Sequence, residues 1–77
     1  MNQLKQIINQ VTAIPTDSLT STFDLIKEGA LDSLDSMEIL LSVEDYFCIN
    51  IPENRFQHVR TYGQFEALVK ELTDEQH

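Results

Sequence analysis

The stretch Asp32-Ser33-Leu34-Asp35 sets a serine hydroxyl between two carboxylates, at the start of an apolar-periodic run that continues Ser36-Met37-Glu38-Ile39-Leu40. A serine in that position can do three kinds of chemistry. As a helix cap, its hydroxyl accepts from an unpaired amide of the first turn, worth about 1 kcal/mol. As a nucleophile, it needs an adjacent base and an oxyanion hole. The flanks form no Gly-rich elbow, and the two histidines, His58 and His77, sit in a short polar segment and at the last residue, so this reading is set aside. As an attachment point, it would hold an anionic phosphodiester near the positive end of the helix macrodipole and close to free N–H groups, slightly opposed by Asp32 and Asp35. A surface position ahead of a helix also leaves the hydroxyl open to a modifying enzyme. The residue types alone leave the cap and the attachment point both standing.

The elements that position this serine must come from a short chain. Seventy-seven residues make one domain, spanning 1–77, near the size where a single core supplies roughly 3–5 kcal/mol of net stability. So small a core leaves little room for a cleft walled by several catalytic groups, which favours a binding or carrier module over an enzyme. Thirteen acidic against five basic side chains give a net charge of -8. That charge repels phosphate backbones and anionic headgroups, excluding nucleic acid and membrane surfaces as partners and favouring basic protein surfaces. A hydrophobic content of 42% still supports a folded core. Cys48 is the one cysteine, so no internal disulfide forms, and no metal-ligand spacing surrounds it or either histidine. The N-terminus lacks an apolar signal-type core and no run reaches membrane-spanning length, so a cytoplasmic monomer is expected.

Leu4, Ile7, Ile8 and Val11 repeat at i, i+3, i+4, i+7 and predict a first helix over 2–12, stopped by Pro15. From Thr16 to Leu31 the pattern is irregular, a long loop whose Leu19, Phe23, Leu25 and Ile26 suggest that it is pinned across the helices. Gly29 supplies a flexible or positive-φ position before the next element. Asp32 or Ser33 caps a second helix running to Phe47. Pro52 and Glu53 open a short third helix reaching about His58. Thr61 and Gln64 form a capping box ahead of Phe65, Leu68, Val69 and Leu72, which predicts a last helix over 62–72 followed by a frayed polar tail at 73–77. No alternating run suggests a strand. The fold class is all-α: a small four-helix bundle, three main helices and a short third one, with a long loop between the first two.

On a helical wheel the second helix has two apolar faces. Ile39, Leu40, Val43 and Phe47, with Ser36 among them, form a core stripe. Leu34, Met37 and Leu41 lie nearly opposite, interspersed with Asp35, Glu38, Glu44 and Asp45. An exposed row of this kind costs solubility, so something should cover it. The Thr16–Leu31 loop could do so, or the row is a docking surface whose flexible Met and flanking acids suit a basic partner. Cys48, between Phe47 and Ile49, is expected to be partly buried and inert. His58 is expected at the surface, with a pH-dependent contact to the acidic second helix as the lesser reading. Tyr46 and Tyr62 are expected to border the core.

Taken together, Gly29-Ala30-Leu31-Asp32-Ser33-Leu34, the acidic-aromatic end of the second helix, Ile49-Asn50-Ile51-Pro52 and Thr61-Tyr62-Gly63 resemble the acyl carrier protein family over nearly the whole chain. The resemblance implies a 4′-phosphopantetheine group on Ser33 within the Asp32-Ser33-Leu34 motif, added by a separate phosphopantetheinyl transferase. It implies a non-catalytic carrier that holds cargo as a thioester for acyl-loading and acyl-transfer enzymes with basic docking surfaces. Partner recognition would fall on Leu34, Asp35, Met37, Glu38 and Leu41. Fatty-acid or polyketide-type cargo is the first expectation. The segment with Leu31 before the motif also resembles carriers of D-alanine or other amino acids and the standalone carriers of natural-product pathways, and Arg55, His58 and Arg60 put positive charge around the third helix, where fatty-acid carriers tend to be acidic. From outside the family, an unmodified helical interaction module would use the same stripe.

Overall fold

The computed structural model describes residues 2–75. Four helices follow one another: α1 (Asn2–Thr12), α2 (Ser33–Phe47), α3 (Glu53–Phe56) and α4 (Tyr62–Glu75). The described residues contain no strand, only an isolated antiparallel bridge between Asp24 and Thr61. No helix among them is long and apolar enough to cross a membrane.

The ends of α1 and α2 and the start of α4 each have a local reason. Leu4, Ile7 and Ile8 turn one side of α1 into the core. Past Thr12 the chain leaves the helix at Ala13, which takes a left-handed φ of 64°, while the Asn9 side-chain amide donates to the Ile14 carbonyl at 2.8 Å. Pro15 then forbids continuation. α2 ends at Cys48, also left-handed, whose amide donates to the Glu44 carbonyl. The Glu44 carboxylate accepts from the Ile51 amide at 2.8 Å, fixing the turn that buries Ile49 and Ile51. At α4 the expected capping box forms. The Gln64 amide donates to Thr61 Oγ1 at 3.2 Å, and Gln64 Oε1 accepts from the Thr61 amide at 3.1 Å. α4 runs on through Glu75, past the last apolar repeat at Leu72, so residues 73–75 of the expected tail are helical. Gln76 and His77 lie outside the described residues.

Ile39 and Val43 from α2 meet Leu4, Ile7 and Ile8 from α1 and Tyr62, Phe65, Leu68, Val69 and Leu72 from α4 in one core. The long connection between α1 and α2 belongs to that core as well, because Leu19 and Leu25 are buried in it and Phe23 and Leu31 pack against it. It is less irregular than the sequence suggests, with a 3-10 turn at Thr16–Ser18 and a hydrogen-bonded turn in which the Glu28 and Gly29 amides donate to the Asp24 carbonyl.

Backbone bonds tie this connection to the start of α4. The Leu25 amide donates to the Arg60 carbonyl at 2.8 Å, the Tyr62 amide to the Phe23 carbonyl at 2.9 Å and the Gly63 amide to the Ser21 carbonyl at 3.0 Å. Glycine is needed at 63 for closeness, since a Cβ there would stand 2.6 Å from the Ser21 carbonyl oxygen. The same holds at 29, where a Cβ would meet the Leu25 carbonyl oxygen at 2.7 Å. The positive-φ role expected of Gly29 is not observed; Ala30 beside it takes the left-handed φ instead.

Asp24 closes this tie. One carboxylate oxygen accepts from the Ile26 and Lys27 amides at 2.9 and 2.7 Å, and the other accepts from Arg60 Nε at 3.1 Å. The Lys27 amide, then Arg60 and the Ile26 amide, hold the Asp24 carboxyl below its ordinary value of 3.8. A depressed carboxylate stabilises the fold above its unfolded pKa, and that contribution is lost as pH falls through the lower native one. Asp24→Asn is therefore expected to melt below the parent at pH 7, with the difference narrowing as pH falls below 3.8. Thermal melts at both pH values check this, and a pH-independent difference would refute it.

Candidate functional site

Ser33 occupies the first helical position of α2, and the residue before it does the capping. Asp32 is extended, and its Oδ1 accepts from the Asp35 amide at 2.8 Å. The Asp32 carbonyl accepts from the Ser36 amide at 3.0 Å. Of the two candidate caps, Asp32 is thus the one used. The Ser33 side chain is exposed and makes no hydrogen bond among the described residues. The amides of Ser33 and Leu34 in the first turn have no capping partner from Asp32, so a positive helix end stands beside the free hydroxyl.

A groove of about 300 Å³ begins at Ser33. Its walls are Ser36, Met37 and Leu40 from α2, and Glu53, Phe56 and Gln57 from α3 and the turn after it. None of the last three was assigned to the site from the sequence, where Glu53 entered only as an opener of the third helix. They stand about twenty residues along the chain from Ser33, and no local pattern ties a short helix to a distant groove.

The second apolar face of α2 is uncovered. Leu34 is 69% exposed and Met37 and Leu41 are each 57% exposed, so the loop before α2 does not shield them. Glu38 and Asp45 are exposed along the same side. Glu44 is half-buried and spent on the Ile51 amide, which removes it from the acids available to a partner. The sequence-derived positions Leu34, Asp35, Met37, Glu38 and Leu41 therefore follow Ser33 along one helix.

Other expectations change. Cys48 is exposed rather than partly buried, because the left-handed turn at the end of α2 points the chain away from the core there. Tyr46 is 57% exposed, with its ring edge-on to Phe47 at 4.9 Å, whereas Tyr62 is buried and donates to Glu66 at 2.8 Å. Burial, then the Glu66 carboxylate, pushes the Tyr62 hydroxyl pKa up, and the Tyr62 hydroxyl holds Glu66 below the usual carboxylate range. His58 is exposed, as expected. The cationic character read around the third helix is largely spent inside the molecule, since Arg55 pairs with Glu71 and Arg60 with Asp24. Leu31 packs against the core, which accounts for its place before the serine without reference to cargo.

Known proteins are similar to this chain in sequence. The family described as "Phosphopantetheine attachment site" matches residues 2–69. The acyl carrier protein of Amoebophilus asiaticus is 36% identical over 69 residues, covering 88% of this chain and 85% of that one. The acyl carrier protein of Kineococcus radiotolerans is 30% identical over 71 residues, 92% of this chain and 88% of that one. The meromycolate extension acyl carrier protein of Mycolicibacterium aurum is 31% identical over 72 residues, 94% of this chain and 74% of that one.

Proposed function

This chain belongs to the acyl carrier protein family, whose members bear phosphopantetheine and carry rather than catalyse, and from that premise we propose that Ser33 bears the group and serves fatty-acid or polyketide-type biosynthesis. The observation that carries the assignment is the division of labour at the start of α2: Asp32 caps the helix and leaves the Ser33 hydroxyl exposed and unspent.

The site suits the group chemically. In attachment the Ser33 oxygen attacks the phosphorus of coenzyme A that bears the pantetheine. The bond from that phosphorus to the 3′,5′-ADP portion breaks, and the serine proton passes to a base of the transferase. The bound group supplies a terminal thiol on which cargo is held as a thioester. The chain's own part is to hold the phosphodiester. The uncapped first-turn amides and the helix dipole favour the anion, while Asp32 and Asp35 on either side keep it turned outward. The apolar wall of Met37 and Leu40 gives the pantetheine arm a surface to lie along. Leu34, Met37 and Leu41 then meet the phosphopantetheinyl transferase and the acyl-loading and acyl-transfer enzymes, with Asp35 and Glu38 steering their basic surfaces. Delivery follows from tethering, which raises the local concentration of cargo at each partner's active site.

Intact mass before and after incubation with a broad-specificity phosphopantetheinyl transferase, coenzyme A and magnesium tests the reading. A gain of one phosphopantetheinyl group is expected. No gain, in a sample shown not to be modified already, would overturn it. Loading the modified protein with acyl and malonyl donors, against ATP, a panel of amino acids and adenylating ligases, separates acyl cargo from aminoacyl cargo.

A further inference from the structure

Among the described residues, Ile26 is the exposed large apolar side chain that does not belong to α2, at 48% exposure. The turn that carries it is fixed on several sides. The Asp24 carboxylate accepts from the Ile26 and Lys27 amides, the Asp24 carbonyl accepts from the Glu28 and Gly29 amides, and the Leu25 amide donates to the Arg60 carbonyl. Ile26 is thus held out to solvent on a set backbone. It borders a surface hollow of about 220 Å³, whose other walls are Leu25, Ser36, Phe56, Gln57 and Val59. Ser36, Phe56 and Gln57 also wall the groove at Ser33, so the hollow adjoins the attachment point. At about 100° per residue, Ser36 lies about 60° to one side of Ser33 on α2 and Leu34 about 100° to the other. Ile26, beyond Ser36, and the stripe of Leu34, Met37 and Leu41 therefore flank the serine from opposite sides.

We propose that Ile26 is a contact for the phosphopantetheinyl transferase, and one that the acyl-loading and acyl-transfer enzymes do not share. The proposal rests on the assignment of Ser33 above. The two classes of enzyme differ in reach. The transferase must bring the coenzyme A phosphorus to about 3 Å from the Ser33 oxygen. That oxygen sits on the body of the protein, so the transferase surface has to close around the serine on every side, the Ile26 side included. Enzymes that load or remove cargo act on the thiol at the far end of the arm. Docking on the α2 stripe brings them within reach of it and leaves the Ile26 side open. An apolar side chain of the transferase seated in the hollow would cover Ile26 and Val59 and take the exposed face of Ile26 out of water. Ile26 carries no charge, so its part in binding persists in salt, unlike steering by the acids of α2.

The test compares Ile26→Ala, Ile26→Gln and Ile26→Leu with the parent in two assays. The first is transferase kinetics. The second, after prolonged incubation has modified each protein to completion, is charging by the loading enzyme that accepts the modified parent. For the transferase, KM is expected to rise about fivefold to tenfold in Ile26→Ala and Ile26→Gln, with kcat unchanged and the rise persisting in salt. Ile26→Leu restores the apolar contact and is expected to stay within about twofold of the parent. For the loading enzyme, KM is expected to equal the parent's in all three, whereas Met37→Ala raises both values. Ile26→Gln keeps the length of the side chain and carries the test should the alanine variant not fold. A transferase KM unchanged in Ile26→Ala and Ile26→Gln overturns the proposal. Equal rises for both enzymes also overturn it, making Ile26 part of a common docking face, and so does a parent dimer in sedimentation that Ile26→Gln abolishes. Failure of the Ser33 assignment looks different: the parent itself gains no phosphopantetheinyl mass, and both readings fall together.

Discussion

Ser33→Ala is expected to abolish modification, with no mass gain after incubation with transferase and coenzyme A, and to reduce cargo transfer to background while the fold survives. The two halves of that result have separate causes. Loss of function is complete because the oxygen that forms the phosphodiester is gone, and no repositioning replaces a missing atom. Retention of the fold follows from the position of Ser33. It is the first residue of α2 and not its cap, its side chain is exposed, and alanine is a better helix former, so the cost stays within about 0.5 kcal/mol. Asp32→Ala is the informative contrast. It removes the acceptor for the Asp35 amide and is expected to cost about 1 kcal/mol, a fall in melting temperature of about 4–8 °C for a domain of this size. Ser36, half-buried in the same groove, is the competing hydroxyl. A Ser33→Ala protein that still gains one group would move the attachment point there, and one that keeps full function without any group would return the chain to a plain interaction module.

That contrast also marks where the sequence stops being readable. Asp32-Ser33 offers two capping side chains in a row, and which is used turns on a one-residue choice of helix start that the α2 backbone settles. Local signals were legible. Leu4, Ile7 and Ile8 with Pro15 bound α1, and Thr61 with Gln64 starts α4, because each signal acts within a few residues. The two-faced pattern of α2 was legible for the same reason, although only the fold could show that the preceding loop plugs the core with Leu19 and Leu25 and leaves Met37 bare. Features that depend on distant neighbours were not legible. Gly29 is required by the Leu25 carbonyl oxygen and not by its own φ, Asp24 finds Arg60 across 36 positions, and Phe56 reaches the groove at Ser33 through α3. Cys48 reads as core between Phe47 and Ile49, yet the left-handed turn that ends α2 turns it to solvent.

The exposed stripe of α2 leads to the second large expected effect. Leu41→Ala and Met37→Ala are each expected to lower kcat/KM of the phosphopantetheinyl transferase tenfold to hundredfold through KM, corresponding to roughly 1.4–2.8 kcal/mol of binding free energy removed at the centre of an interface. Each side chain is 57% exposed and outside the core, so melting temperatures should stay close to the parent's. Glu38→Lys tests the other half of the surface. It reverses a charge without touching the apolar row, and its effect should be large at low salt and fade as ionic strength shortens the Debye length to about 8 Å at 0.15 M. The alanine effects should persist in salt, because apolar packing is not screened. That difference in salt response separates the grip of the stripe from the steering by its acids. If Met37→Ala and Leu41→Ala are both modified as fast as the parent at substrate concentrations below KM, the stripe is not the docking surface, and its exposure must be explained some other way.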